Sequence, residues 1–107
     1  MNEKLRIAKK IIKEEAKKRG IKVLKIILFG SRTGKNFNKN SDWDFLVVID
    51  KELNFHEKWE VILSIKRKLL ESEIPNDIIL KSKESYEIDK EIVNTISYSA
   101  KLEGIEI

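Results

Sequence analysis

A chain of 107 residues with 41% hydrophobic content is long enough to bury a core as one domain, 1–107, and too apolar to stay disordered. The absence of cysteine excludes disulfides, and with a single histidine a zinc site is not expected; a bound metal would be a hard cation held by carboxylates. The net charge of +4 arises from 22 basic and 18 acidic residues in mixed runs such as Lys13-Glu14-Glu15, the pattern of solvated helix faces rather than of a nucleic-acid partner. No charged-then-apolar leader opens the chain and no apolar run approaches the roughly 18 residues of a membrane span, so the expectation is a soluble, cytoplasmic protein.

In chain order, Asn2 is expected to cap a helix reaching about Arg19. Leu5, Ala8, Ile12 and Ala16 lie at helical spacing on one face of it, and Gly20 supplies a left-handed stop. Val23 to Phe29 is a nearly continuous run rich in branched apolar residues, the mark of an interior strand. Ser31 to Ser41 is polar, with Gly34 and three asparagines, and reads as a loop with one short helical turn. Phe45 to Ile49 is the next strand, with Asp42 and Asp44 at its entrance. Asn54-Phe55-His56-Glu57 has the form of a capping box. The helix it opens is expected to turn Trp59, Ile62, Leu63, Leu69 and Leu70 inward and to end near Ser72. Pro75 breaks the chain before a strand from Asp77 to Leu80. A last helix is expected from Ser82–Ser85 to about Glu103, burying Ile88, Ile92, Ile96 and Ala100, with Gly104 closing it. The order α-β-β-α-β-α predicts an α/β (α+β) fold, a small mixed sheet flanked by helices.

The chemistry concentrates in two places. Gly30 and Ser31 follow a buried strand, where a backbone amide and a hydroxyl can hold phosphate, and Arg32 adds a charged fork. Ten residues separate Ser31 from Asp42-Trp43-Asp44, whose two carboxylates share a face because strand side chains alternate. A strand-helix-strand unit normally pairs its strands in parallel, which would bring Asp77 beside Asp42 and Asp44. If the first strand runs antiparallel to the second, its Gly30-Ser31 end reaches the same edge. Asp42, Asp44 and Asp77 are then the candidate catalytic and metal-binding residues, and Gly30, Ser31 and Arg32 the nucleotide-binding ones. Two Mg²⁺ ions held by the carboxylates would clamp the attacking and leaving oxygens of an in-line displacement at phosphorus. Asp77 would also orient the proton of the incoming hydroxyl.

Gly30-Ser31-Arg32-Thr33-Gly34, Ser41-Asp42-Trp43-Asp44 and the later Asp77 resemble the nucleotidyltransferase superfamily that includes DNA polymerase β, and within it the minimal nucleotidyltransferases of prokaryotes. The resemblance spans roughly residues 20 to 82. It implies the nucleotidyltransferase fold, ATP as substrate with Mg²⁺, and a role as antitoxin to a small helical HEPN-domain ribonuclease. The implied reaction is transfer of AMP from ATP to a tyrosine hydroxyl of that toxin with release of pyrophosphate, in a hetero-oligomer of the two proteins. Two other functions use the same residues: an antitoxin that neutralises by binding alone, and a small-molecule nucleotidyltransferase of the aminoglycoside type. No additional substrate-binding domain is recognisable, which disfavours the latter.

The remaining residues have ordinary readings. Gly34-Lys35 fails as a P-loop because the spacing from Gly30 is one residue short and Asn36 stands where Ser or Thr is needed. His56 reads as a surface or capping residue, Trp59 as core, and Lys66-Arg67-Lys68 as a solvated face. Tyr86 and Tyr98 are assigned to the surface or the rim of a partner interface.

Overall fold

Two helices cover one face of a four-stranded sheet, and two shorter ones lie on the other. The computed structural model describes residues 3–30 and 42–107. The order is α1 (Glu3–Lys17), β1 (Val23–Phe29), β2 (Trp43–Ile49), α2 (Phe55–Glu71), β3 (Asn76–Ser82), α3 (Lys83–Asp89), α4 (Ile96–Glu103) and β4 (Ile105–Glu106). The sheet order is β3-β2-β1-β4. β1 and β2 are antiparallel while β2 and β3 are parallel, the arrangement expected from the connection lengths.

α1 buries Ala8, Ile12 and Ala16, as its spacing predicts. Its last turn continues to Arg19, where the Ile21 amide donates to the Ala16 carbonyl and the Gly20 amide to that of Lys17, both at 3.0 Å. That double closure needs a left-handed residue, and Gly20 has φ +69°. The expected cap Asn2 lies outside the described residues. α2 opens on the capping box: Asn54 Oδ1 accepts from the Glu57 amide at 2.8 Å and the Asn54 amide donates to Glu57 Oε1 at 3.3 Å.

Strand alternation divides the interior. Ile26 and Leu28 of β1, Trp43, Phe45, Val47 and Ile49 of β2, and Ile78 and Leu80 of β3 pack against α1 and α2. Ile27, Leu46 and Val48 point the other way, to Tyr86 of α3 and Ala100 of α4. Full burial of a large apolar side chain stabilises by roughly 1.5–3 kcal/mol, so the first and larger cluster dominates stability.

Several expectations need correction. On α2, Ile62 and Leu69 are buried as expected, but Trp59, Leu63 and Leu70 are exposed, and Val61 and Ile65 are buried in their place. Apolar residues cover too wide an arc of this helix for its contact with the sheet and α1, and only the arc centred on Val61, Ile65 and Leu69 is covered. The single last helix is two, separated by a turn in which Asn94 has φ +75°. Thr95 caps α4, its Oγ1 accepting from the Tyr98 amide at 3.0 Å, and the same hydroxyl binds the Asp89 carbonyl at 2.7 Å. This break turns Ile88, Ile92 and Ile96 to the surface, and of the expected stripe only Ala100 is buried. Gly104 closes α4 as expected, its amide donating to the Ala100 carbonyl at 2.8 Å, but with an extended φ of −78°, and it leads into β4, which no strand signal announced. Glycine is required there by crowding, since a Cβ would stand 2.3 Å from both the Ala100 oxygen and Ile27 Cγ2. Tyr86 is buried rather than at a rim, and Tyr98 is half-buried.

Candidate active site

Trp43 begins the construction of the site. Its ring is buried in the larger core, and its amide donates to the Pro75 carbonyl at 2.8 Å, tying the start of β2 to the start of β3. With Trp43 fixed on the α1–α2 side, alternation places Asp44 on the opposite face. The register then pairs Asp44 with Phe29 of β1 on one side and with Asp77 of β3 on the other. Asp77 lies on the same sheet face as Asp44, because residues opposite one another in a parallel pair share a face. Asp42 precedes the strand by one residue and is exposed. The two strands therefore bring Asp44 and Asp77 together and set Asp42 close by.

The electrostatics reflect this convergence. Asp44 is held above its ordinary carboxylate acidity range, first by burial and then by the charges of Asp77 and Asp42, with Lys66 acting in the opposite direction. Three like charges at one sheet edge disfavour full ionisation, and a nearby cation relieves that repulsion. The donor set is oxygen-only, the chemistry that suits a hard divalent cation. Charge and donor type therefore fit Mg²⁺. Among the described residues no three acidic, histidine or cysteine groups are gathered tightly enough to form a ready-made metal cage.

Gly30 ends β1 at the same edge with φ +76°. A Cβ on it would stand 2.1 Å from Asp44 Oδ2 and 3.0 Å from Cγ. Only a glycine lets the Asp44 carboxylate lie against this corner, so Gly30 is needed for the placement of the acid. Ser31 and Arg32 lie outside the described residues.

One neighbour was missed from sequence. Lys66, read there as part of a solvated face, reaches from α2 around the edge of β3. Its Nζ donates to the Asn76 carbonyl at 3.0 Å and lies 3.7 Å from Asp77 Oδ1. A signal existed, since Lys66 follows buried Ile62 by four residues and so borders the covered arc of the helix. Asn76 itself is buried, its Nδ2 donating to the Ile74 carbonyl at 3.0 Å, which braces the chain just before Asp77. His56 is exposed, and its partner among the described residues is Glu60, at 3.0 Å, one turn along the same helix.

A mixed sheet that presents two neighbouring aspartates beside a glycine corner has the donor chemistry that metal-assisted nucleotidyl transfer requires. Residues 9–99 match the family of polymerase β nucleotidyltransferases, and the chain belongs to that family. Over 27 residues it is 59% identical to protein adenylyltransferase MntA of Aphanizomenon flos-aquae (strain 2012/KM1/D3), a match spanning 25% of this chain and 18% of that relative's length. The fold is similar to a crystal structure of a mutant toxin-antitoxin MntA-HpeT, with a TM-score of 0.53 and 21% identity over 92% of this chain and 70% of the other. Among the described residues no helix is long and apolar enough to cross a membrane.

Proposed function

We propose that this protein is a nucleotidyltransferase antitoxin that transfers AMP from ATP to a tyrosine hydroxyl of a HEPN-domain ribonuclease toxin. The observation that carries the reading is the pairing of Asp44 with Asp77 beside Gly30, in a chain of the polymerase β nucleotidyltransferase family. The short stretch of high identity to a protein adenylyltransferase supports a protein as acceptor. The acceptor hydroxyl oxygen forms a bond to the α phosphorus as the bond to the bridging oxygen of the β phosphate breaks, and pyrophosphate departs. The hydroxyl proton passes to the Asp77 carboxylate, which is exposed and able to release it to water.

Gly30, Ser31 and Arg32 would bind the phosphates. Asp42, Asp44 and Asp77 would hold two Mg²⁺ ions, which when bound supply charge neutralisation at the phosphates. Lys66 keeps the acid cluster from accumulating unopposed negative charge while the nucleotide is absent. The protein would act in the cytoplasm as a hetero-oligomer with the toxin.

The test is mass spectrometry of the candidate toxin after incubation with this protein, ATP and Mg²⁺. The expected result is a mass increase of one or more AMP units that maps to tyrosine and disappears in Asp42→Asn and Asp44→Asn. Transfer that persists in both variants overturns the assignment of the carboxylates. Protection of cells by the double variant would instead identify an antitoxin acting by binding alone.

A further inference from the structure

The outer side of α2 carries an apolar stripe that nothing among the described residues covers. Phe55 is 77% exposed and Trp59 45%, and Leu63 and Leu70 are exposed as well. All four fall within about a quarter of the helix circumference, given 100° per residue. Phe55 and Trp59 already pack edge to face, ring centroids 6.2 Å apart and planes at 66°, so the stripe has a preorganised end. Four large apolar residues in one row on a helix otherwise well anchored by Val61, Ile65 and Leu69 mark an interface rather than scattered surface.

Charge along the same helix identifies the occupant. Beside the stripe, on its solvent side, stand Glu60 and, seven residues later, Arg67. Arg67 has no ion-pair partner among the described residues, and Glu60 meets only His56. Leu63 lies midway between Glu60 and Arg67 along the axis. An antiparallel copy of α2 crossing at Leu63 therefore sets Glu60 against the partner's Arg67 and Arg67 against the partner's Glu60. The same crossing lays Phe55 near the partner's Leu70 and stacks Leu63 on its own counterpart. In a symmetric parallel pair the two charged flanks would lie on opposite sides of the seam, so neither Glu60 nor Arg67 would meet a counterpart. We infer that α2 is the contact of a symmetric homodimer formed by antiparallel pairing of this helix with that of a second copy. The carboxylate edge lies by the C-terminal end of α2, where Lys66 reaches it, so the pairing holds the two candidate active sites toward opposite ends.

The sequence has no cysteine, which makes the test clean. Sedimentation equilibrium of the wild type should show a monomer–dimer equilibrium at concentrations up to about 1 mM, the weak end of specific association. Arg67→Glu should weaken it at least tenfold, and Glu60→Arg with Arg67→Glu should restore it. Leu63→Cys should form a disulfide-linked dimer under mild oxidation. Phe55→Cys mixed with Leu70→Cys should give a crosslinked heterodimer while neither variant crosslinks alone. Circular dichroism of each variant verifies that it is folded. A wild type that remains monomeric over the whole range overturns the inference, as does crosslinking of Phe55→Cys to itself. A stripe reserved for a different protein gives the first of these results.

Discussion

Gly30 and Gly20 form a matched pair for testing how the acidic corner is built. Both have positive φ, +76° and +69°, so replacement by alanine imposes the same left-handed strain of about 1–2 kcal/mol at each. Reduced freedom of the unfolded chain offsets roughly 0.4–1 kcal/mol of that in both. They differ in space. A Cβ at Gly20 meets nothing within 4 Å, whereas at Gly30 it would stand 2.1 Å from Asp44 Oδ2 and 3.0 Å from Cγ. Asp44 would have to leave its rotamer, at a further cost of about 1 kcal/mol. The expected outcome in urea unfolding is a loss of about 1 kcal/mol for Gly20→Ala and about 2 kcal/mol for Gly30→Ala, a difference in Tm of roughly 5 °C. AMP transfer should be unchanged in Gly20→Ala and fall about a hundredfold in Gly30→Ala, the effect of misplacing a reacting group by about 1 Å. Equal losses of stability and activity in the two variants would refute the close approach of Gly30 to Asp44.

Three further outcomes follow from named contacts. Asn54→Ala removes the side chain that caps α2 and should cost about 1 kcal/mol in urea unfolding, whereas Glu57→Gln, which keeps an acceptor for the Asn54 amide, should lose much less. Hydrogen bonds from Lys18 and Ser64 hold the buried Glu15 carboxyl below its usual 4.5, so the folded protein binds this proton less readily than the unfolded chain. Its contribution is therefore fully present above the unfolded value and is lost as pH falls through the lower folded one; wild type should exceed Glu15→Gln by about 1–2 kcal/mol at neutral pH, and the gap should close in strong acid. Lys66→Met removes the cation that opposes Asp77 and Asp42, so NMR titration of the Asp44 carboxyl in metal-free protein should show it pushed further up; an unmoved titration would remove Lys66 from the site.

The elements readable in the sequence are those whose signals are local. β1 appears with its expected boundaries because a run of branched apolar residues suits only a strand covered on both faces. The stop at Gly20 and the capping box at Asn54 are legible because each satisfies its own backbone groups within a few residues. Alternation around Trp43, combined with the parallel pairing forced by the long α2 connection, was enough to place Asp44 next to Asp77.

The amino-acid sequence by itself thus determined three of the four strands, their directions and the meeting of two aspartates at a glycine corner, since periodicity, capping and connection length act on neighbouring residues. Tertiary structure alone decided which apolar face of α2 is covered and which is left bare, because several faces satisfy helical spacing and only packing against α1 and the sheet selects one. It likewise decided that Lys66 bends round β3 to Asp77, and that the chain after α4 returns as β4 along β1. Those outcomes depend on which surfaces lie opposite one another in space, and separation along the chain carries no record of that.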